Sequence, residues 1–174
     1  MNGFLKIKST FIKYLPLLIT ISCICFSCTI FPPQGYAMTI SSIELICFIF
    51  WCLFLGRLFG ILQCFFIGTF TDLIIGTPLG SYILLFTIIR FISCVVKEKF
   101  KINSFLENII VAMPIILIFY FFNYIFVIFY HSIVISSEYF IFNIVLTILL
   151  YPSLAVFFHW ICRITSIEKY YVKV

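Results

Sequence analysis

The sequence predicts an all-α membrane protein, a bundle of six transmembrane helices with the N-terminus and the C-terminus both cytoplasmic. Composition is the first reason. Of 174 residues, 64% belong to the apolar set and only 10% are charged, with a mean hydropathy of +1.26. An ordinary globular chain is about 45–50% apolar and about 25% charged. A soluble domain of this length still exposes roughly a third of its unfolded-chain surface, so this much oil calls for a bilayer as solvent. Segmentation is the second reason: six apolar runs of 18 to 24 residues succeed one another, separated by turn or charge signals. The third is the placement of the cations, which falls almost wholly on alternate connections.

The predicted spans are residues 14–31, 37–55, 58–75, 79–96, 109–130 and 139–162. At 1.5 Å per residue such runs cover about 27–36 Å, which matches a hydrocarbon core of about 30 Å. A barrel would alternate polar and apolar residues in segments of about ten, and unbroken apolar runs exclude it. The first run follows Lys6, Lys8 and Lys13 as a signal peptide would. It is nevertheless longer than a usual signal core and has no small-x-small cleavage site before Pro32-Pro33, so it is read as a span. Six spans use up the length, leaving a single integral membrane domain over residues 1–174 and no soluble module.

Orientation follows from the eleven Lys and Arg. Lys6, Lys8 and Lys13 precede span one, Arg57 joins spans two and three, Lys97, Lys99 and Lys101 follow span four, and Arg163, Lys169 and Lys173 follow span six. The other connections carry none, and the eleventh cation, Arg90, lies in the half of span four nearest the same side. Positive charge is retained on the cytoplasmic side, which places both termini there. Cations scattered singly at span ends also exclude a nucleic-acid surface, despite the net charge of +5.

Ionisable groups inside a span cost about 2.5–3.5 kcal/mol each on insertion scales, so each needs a reason. Asp72 stands three residues before the outer end of span three, and its short stem cannot reach far. A buried partner or polar cavity is favoured over interfacial exposure. Arg90 has a stem long enough to reach the headgroups unaided, which is the simpler reading. It faces the opposite leaflet from Asp72, so the two are poor candidates for a pair. Glu44 interrupts the outer start of span two, where interfacial solvation is the favoured fate. Gly60, Gln63, Cys64, Gly68, Thr71 and Asp72 share one half of the span-three helix. Such a face packs on protein, either within the bundle or against a partner's helix.

Gly76-Thr77-Pro78-Leu79-Gly80 stops one helix and starts the next close to the membrane surface. Gly56 and Gly60 match a small-residue dimer spacing but straddle Arg57, where a tight loop explains them better. Pro114 falls near the start of span five and is absorbed there, whereas Pro152 falls mid-span six and predicts a kink. All eight cysteines fall inside predicted spans, Cys25-Phe26-Ser27-Cys28 included. They are read as small buried hydrophobes. Neither His131 nor His159 has the neighbours of a triad or metal site, so no catalytic residue, cofactor or metal is expected.

Taken together, Phe50-Trp51, Gly60-Ile61-Leu62-Gln63, Gly68, the run from Asp72 through Gly76 and Pro78 to Gly80, and Arg90 resemble the rod shape-determining protein MreD family. The likeness covers roughly residues 44–91, with Ile43-Glu44 standing where the family often has Pro followed by an acid. The resemblance implies a non-catalytic component of the bacterial inner membrane that serves the cell-elongation machinery. Its expected partners are an MreC-like single-span protein, RodA, a class B penicillin-binding protein, the actin-like MreB and the lipid bilayer. The family's fold also resembles the substrate-capturing subunits of vitamin transporters, which supplies the alternative function. Candidate packing and partner-contact residues are Glu44, Gly60, Gly68, Asp72, Gly76, Pro78, Gly80 and Arg90. A scaffold needs an exposed small-residue groove, and a vitamin-binding subunit needs a polar pocket open to the outside.

Overall fold

The computed structural model describes residues 14–27, 42–56, 59–100, 105–131 and 137–165. The described residues form six helices and no strand: α1 Tyr14–Ser27, α2 Ser42–Leu55, α3 Ile61–Ile75, α4 Ser81–Phe100, α5 Phe105–His131 and α6 Ser137–Thr165. Each overlaps one predicted span, but the lengths differ. With 14 and 15 residues, α2 and α3 rise only about 21–23 Å. Gly60 is extended, and α3 begins after it. Residues 28–31 of span one and 37–41 of span two lie outside the described residues.

Helices α5 and α6 overrun their apolar stretches, reaching 27 and 29 residues. Helical hydrogen bonding continues where hydropathy stops, and the charges at these ends suit the helix dipole. Glu107 and Glu138 sit in first turns, and Arg163 sits in the last turn of α6. Pro114 consequently lies inside α5, and Pro152 lies inside α6.

Helix α2 forms the centre. From Leu45 to Leu53 no residue is more than 4% exposed, as befits a helix that is apolar on every side. It packs on α4, α5 and α6, and a thiol contact from Cys47 to Thr20 joins it to α1. Aromatic rings fill the seams. Phe48 stacks on Phe86 of α4 with centroids 4.2 Å apart and meets Phe59 edge-on at 5.6 Å, while Phe50 meets Phe158 of α6 at 5.5 Å. Such offset and edge-on pairs contribute about 0.5–1.5 kcal/mol each beyond area burial.

The outer helices show the opposite character. The stretches Phe105–Phe126 and Phe140–Thr165 are long and apolar enough to cross a membrane, and only 28% and 22% of their most apolar windows are buried in the protein. A soluble core helix would be mostly enclosed. Here Phe121, Leu149, Val156 and Trp160 point outward, so apolar surface faces the surroundings, as lipid contact requires.

Candidate functional site

The α3–α4 hairpin carries most of the conspicuous residues. Helix α3 ends where Gly76 turns left-handed, at φ 78°, and donates its N–H to Asp72 O at 3.0 Å. Pro78 O accepts from Ser81 N at 3.1 Å, and Gly80 adopts φ 108° just before α4 begins. Both glycines occupy backbone that side chains rarely adopt. This tight reversal brings the first amides of α4 back over the last turn of α3.

Asp72 closes the reversal. Its side chain is buried, with 1% of its surface exposed. Oδ1 accepts hydrogen bonds from Thr77 Oγ1 at 2.8 Å, Ser81 Oγ at 2.8 Å and Tyr82 N at 3.1 Å, while Oδ2 accepts from Gly80 N at 2.8 Å. The carboxylate therefore caps α4 from the preceding helix. It meets the positive end of the α4 dipole and satisfies backbone amides that have no helical acceptor. Of the two fates open to it from sequence, burial with partners is the one observed, but the partners come from its own turn rather than another span.

Above that turn the two helices almost touch. A methyl group placed on Gly68 would lie 2.6 Å from Ile83 Cα and 2.7 Å from Ile83 N, so only glycine permits this approach. The buried side of α3 comprises Cys64, Ile67, Gly68, Thr71 and Asp72, and α3 packs chiefly on α4. The side is narrower than expected, because Gly60 and Gln63 lie at its margin; Gln63 Oε1 accepts from Gly60 N at 3.3 Å.

The other end of α4 is tied by cations. Arg90 Nε donates to the carbonyl of Phe59, just ahead of α3. Lys97 Nζ donates to Phe54 O at 2.6 Å, in the last turn of α2, where carbonyls lack helical partners. Arg90 thus turns inward to a backbone acceptor instead of relying on headgroups alone. Asp72 on α3 and the two cations on α4 secure the turns at opposite ends of α2–α3–α4.

Glu44 stands apart from this arrangement. It is 2% exposed, and its Oε1 has no hydrogen-bond partner among the described residues. Interfacial solvation is corrected: α2 is enclosed by neighbours that hydropathy alone does not reveal. The structure gathers Gly68, Asp72, Gly76, Pro78 and Gly80 at one end of the hairpin and Gly60 with Arg90 at the other. Sequence reasoning missed Ser81, Ile83 and the bond made by Lys97. The hydroxyls five and nine residues after Asp72, around a Gly-Pro reversal, were the available signal.

The Asp72 carboxylate is occupied by donors of its own turn. Among the described residues no group of three or more His, Cys, Asp or Glu could hold a metal ion. The His159 ring packs against Phe105 and Phe54, at centroid distances of 5.3 and 6.3 Å.

An all-helical architecture with outward apolar faces and a polar lock inside one hairpin defines a helical membrane protein. A family model described as rod shape-determining protein MreD matches residues 8–161. The chain belongs to that family, and its role lies in the determination of rod shape. No curated protein and no solved structure matches it.

Proposed function

We propose that the protein is a non-catalytic scaffold of the bacterial cell-elongation machinery, spanning the inner membrane six times with both termini in the cytoplasm. Its helices would hold an MreC-like single-span protein, and with it RodA, a class B penicillin-binding protein and MreB, so that cytoskeleton and peptidoglycan synthesis remain coupled. The family match over residues 8–161 carries this reading. Two features support it. Ten of eleven cations lie on one side of the predicted spans, which favours a fixed orientation. The α2–α3–α4 unit, secured at both of its turns, is suited to positioning partners.

The test is purification in mild detergent from cells expressing a tagged copy, with assays for an MreC-like partner and for bound vitamin. Recovery of the partner at near-equal amounts is expected. Vitamin retained without any partner would replace the scaffold with the transporter alternative. Reporter fusions after Phe31 and after Tyr130 should read periplasm, and a cytosolic signal from either would overturn the six-span topology.

A further inference from the structure

Besides the turn that it ties, Lys97 belongs to a second cluster at the same end of the bundle. Its ammonium carries three donors and gives one to Phe54 O at 2.6 Å. Its stem passes over Gly56, where an added methyl would meet Cδ at 3.2 Å. The Phe54 ring meets the His159 ring of α6 at 6.3 Å, and that imidazole also meets the Phe105 ring of α5 at 5.3 Å. The last turns of α2 and α4, the last two turns of α6 and the first turn of α5 therefore come together here. Lys97 and His159 are half-buried, and Arg163, one turn beyond His159, is exposed. Helix dipoles explain cations at the ends of α2, α4 and α6, but not the apolar surface beside them. Phe157 and Trp160 stack at 6.5 Å on the outward side of α6, and with Ile164 they are 52–62% exposed. At 100° per residue, His159 and Arg163 border that apolar row.

We propose that this end of the bundle binds the phosphate of an anionic phospholipid, with Lys97, His159 and Arg163 as donors and Phe157, Trp160 and Ile164 along an acyl chain. The bond to Phe54 O holds the Lys97 ammonium in place while its other donors face the phosphate. The imidazole supplies at least one N–H in either protonation state, and the Arg163 fork matches two phosphate oxygens. A zwitterionic head brings its own cation against these groups, so a head of net negative charge is preferred. A free phosphate ion would meet the cations but leave the apolar row unused, whereas a lipid covers both. Basic recesses between helix ends are a recurrent seat for anionic heads on the cytoplasmic side, and an outward tryptophan suits the depth of the headgroups.

The inference rests on the six-span reading only for the leaflet concerned, and its test needs neither that topology nor any partner. The chain has two tryptophans. Trp51 is sealed in the bundle, and Trp160 faces outward one residue from His159, so a quencher on an acyl chain reports the lipid beside Trp160. The full-length protein is reconstituted in dioleoylphosphatidylcholine vesicles containing a rising share of phosphatidylglycerol or, separately, phosphatidylcholine, each brominated on its acyl chains. Half-maximal quenching should need at least about tenfold less of the anionic lipid, since each cation contributes about fivefold. Arg163→Gln should remove about fivefold of that preference with the thermal midpoint unchanged. Lys99→Gln, an exposed cation elsewhere on the last turn of α4, should remove less than about twofold, as screening of a surface charge implies. Equal quenching by the two lipids, or equal losses from Arg163→Gln and Lys99→Gln, would replace the site with diffuse surface charge and overturn the proposal. Relief of quenching by millimolar sodium phosphate, but not by chloride of the same ionic strength, would assign the cluster to a free anion and overturn it equally. Reporter fusions that reversed the topology would change the leaflet and leave the lipid preference intact.

Discussion

The α2–α4 unit and the α5–α6 pair solve the same problem by opposite means. In α2–α4 the helices are short, and polar groups secure both turns: Asp72 at one, Arg90 and Lys97 at the other. In α5–α6 the helices are long, and much of their apolar surface faces outward. One buried polar contact between them, Tyr120 to Thr147 at 2.6 Å, stands beside ring packing such as Tyr124 on Phe140. Specific geometry in lipid comes from hydrogen bonds and close backbone approach, because apolar packing alone has little directional preference there. The short unit is built to be rigid, and the long pair is built to be solvated by lipid.

Substitutions can break or sharpen that contrast. The largest effect is expected for Asp72→Ala, which strands two backbone amides and two hydroxyls at the turn. A loss of about 1–3 kcal/mol for each buried donor left unsatisfied should appear as a much lower unfolding midpoint in detergent. Next comes Leu149→Arg on the outward face of α6, a residue 73% exposed. If that face meets lipid, membrane insertion should suffer by about 2.5–3.5 kcal/mol, read as the carbonate-resistant fraction, while Leu149→Ala stays within about 0.5 kcal/mol of the parent. Tolerance of arginine there would show that the face is solvated by water, and the contrast would fail.

Smaller effects belong to the helix contact and the inner turn. Gly68→Leu must push Ile83 away and should cost about 1–3 kcal/mol, as overpacking does, measured by thermal unfolding; an unchanged midpoint would mean that α3 and α4 do not approach as described. Lys97→Ala removes a single donor from the end of α2. The expected cost is about 1 kcal/mol, with Lys97→Arg retaining most of the stability. The ratio of the Asp72 and Lys97 effects ranks the two ends of the unit.

Much of this was legible in residues that defy their surroundings. Gly76, Pro78 and Gly80 announce a reversal by backbone preference alone, and Asp72 announces a buried acceptor by its cost. What the residues do not announce is which donors Asp72 meets. Those lie five to ten residues on, and only the turn geometry returns them. The central place of α2 was equally hidden, because every span is apolar all round and periodicity therefore points nowhere. Glu44 was misplaced for that reason. The helices α5 and α6 run past the predicted spans because hydropathy marks where lipid would stop, whereas a helix stops where its hydrogen bonds do.

The capping of α4 by a side chain of α3 has a consequence for biogenesis. Before α4 emerges from the ribosome, Asp72 lacks the donors that this helix supplies, Ser81 Oγ and Tyr82 N. On the proposed six-span topology, a lone third segment would carry an unpartnered carboxyl group into hydrocarbon, so the two segments are expected to enter the bilayer together as a preassembled loop. A nascent chain stalled between Gly76 and Ser81 should linger at the insertion channel, and one stalled beyond Phe100 should be released.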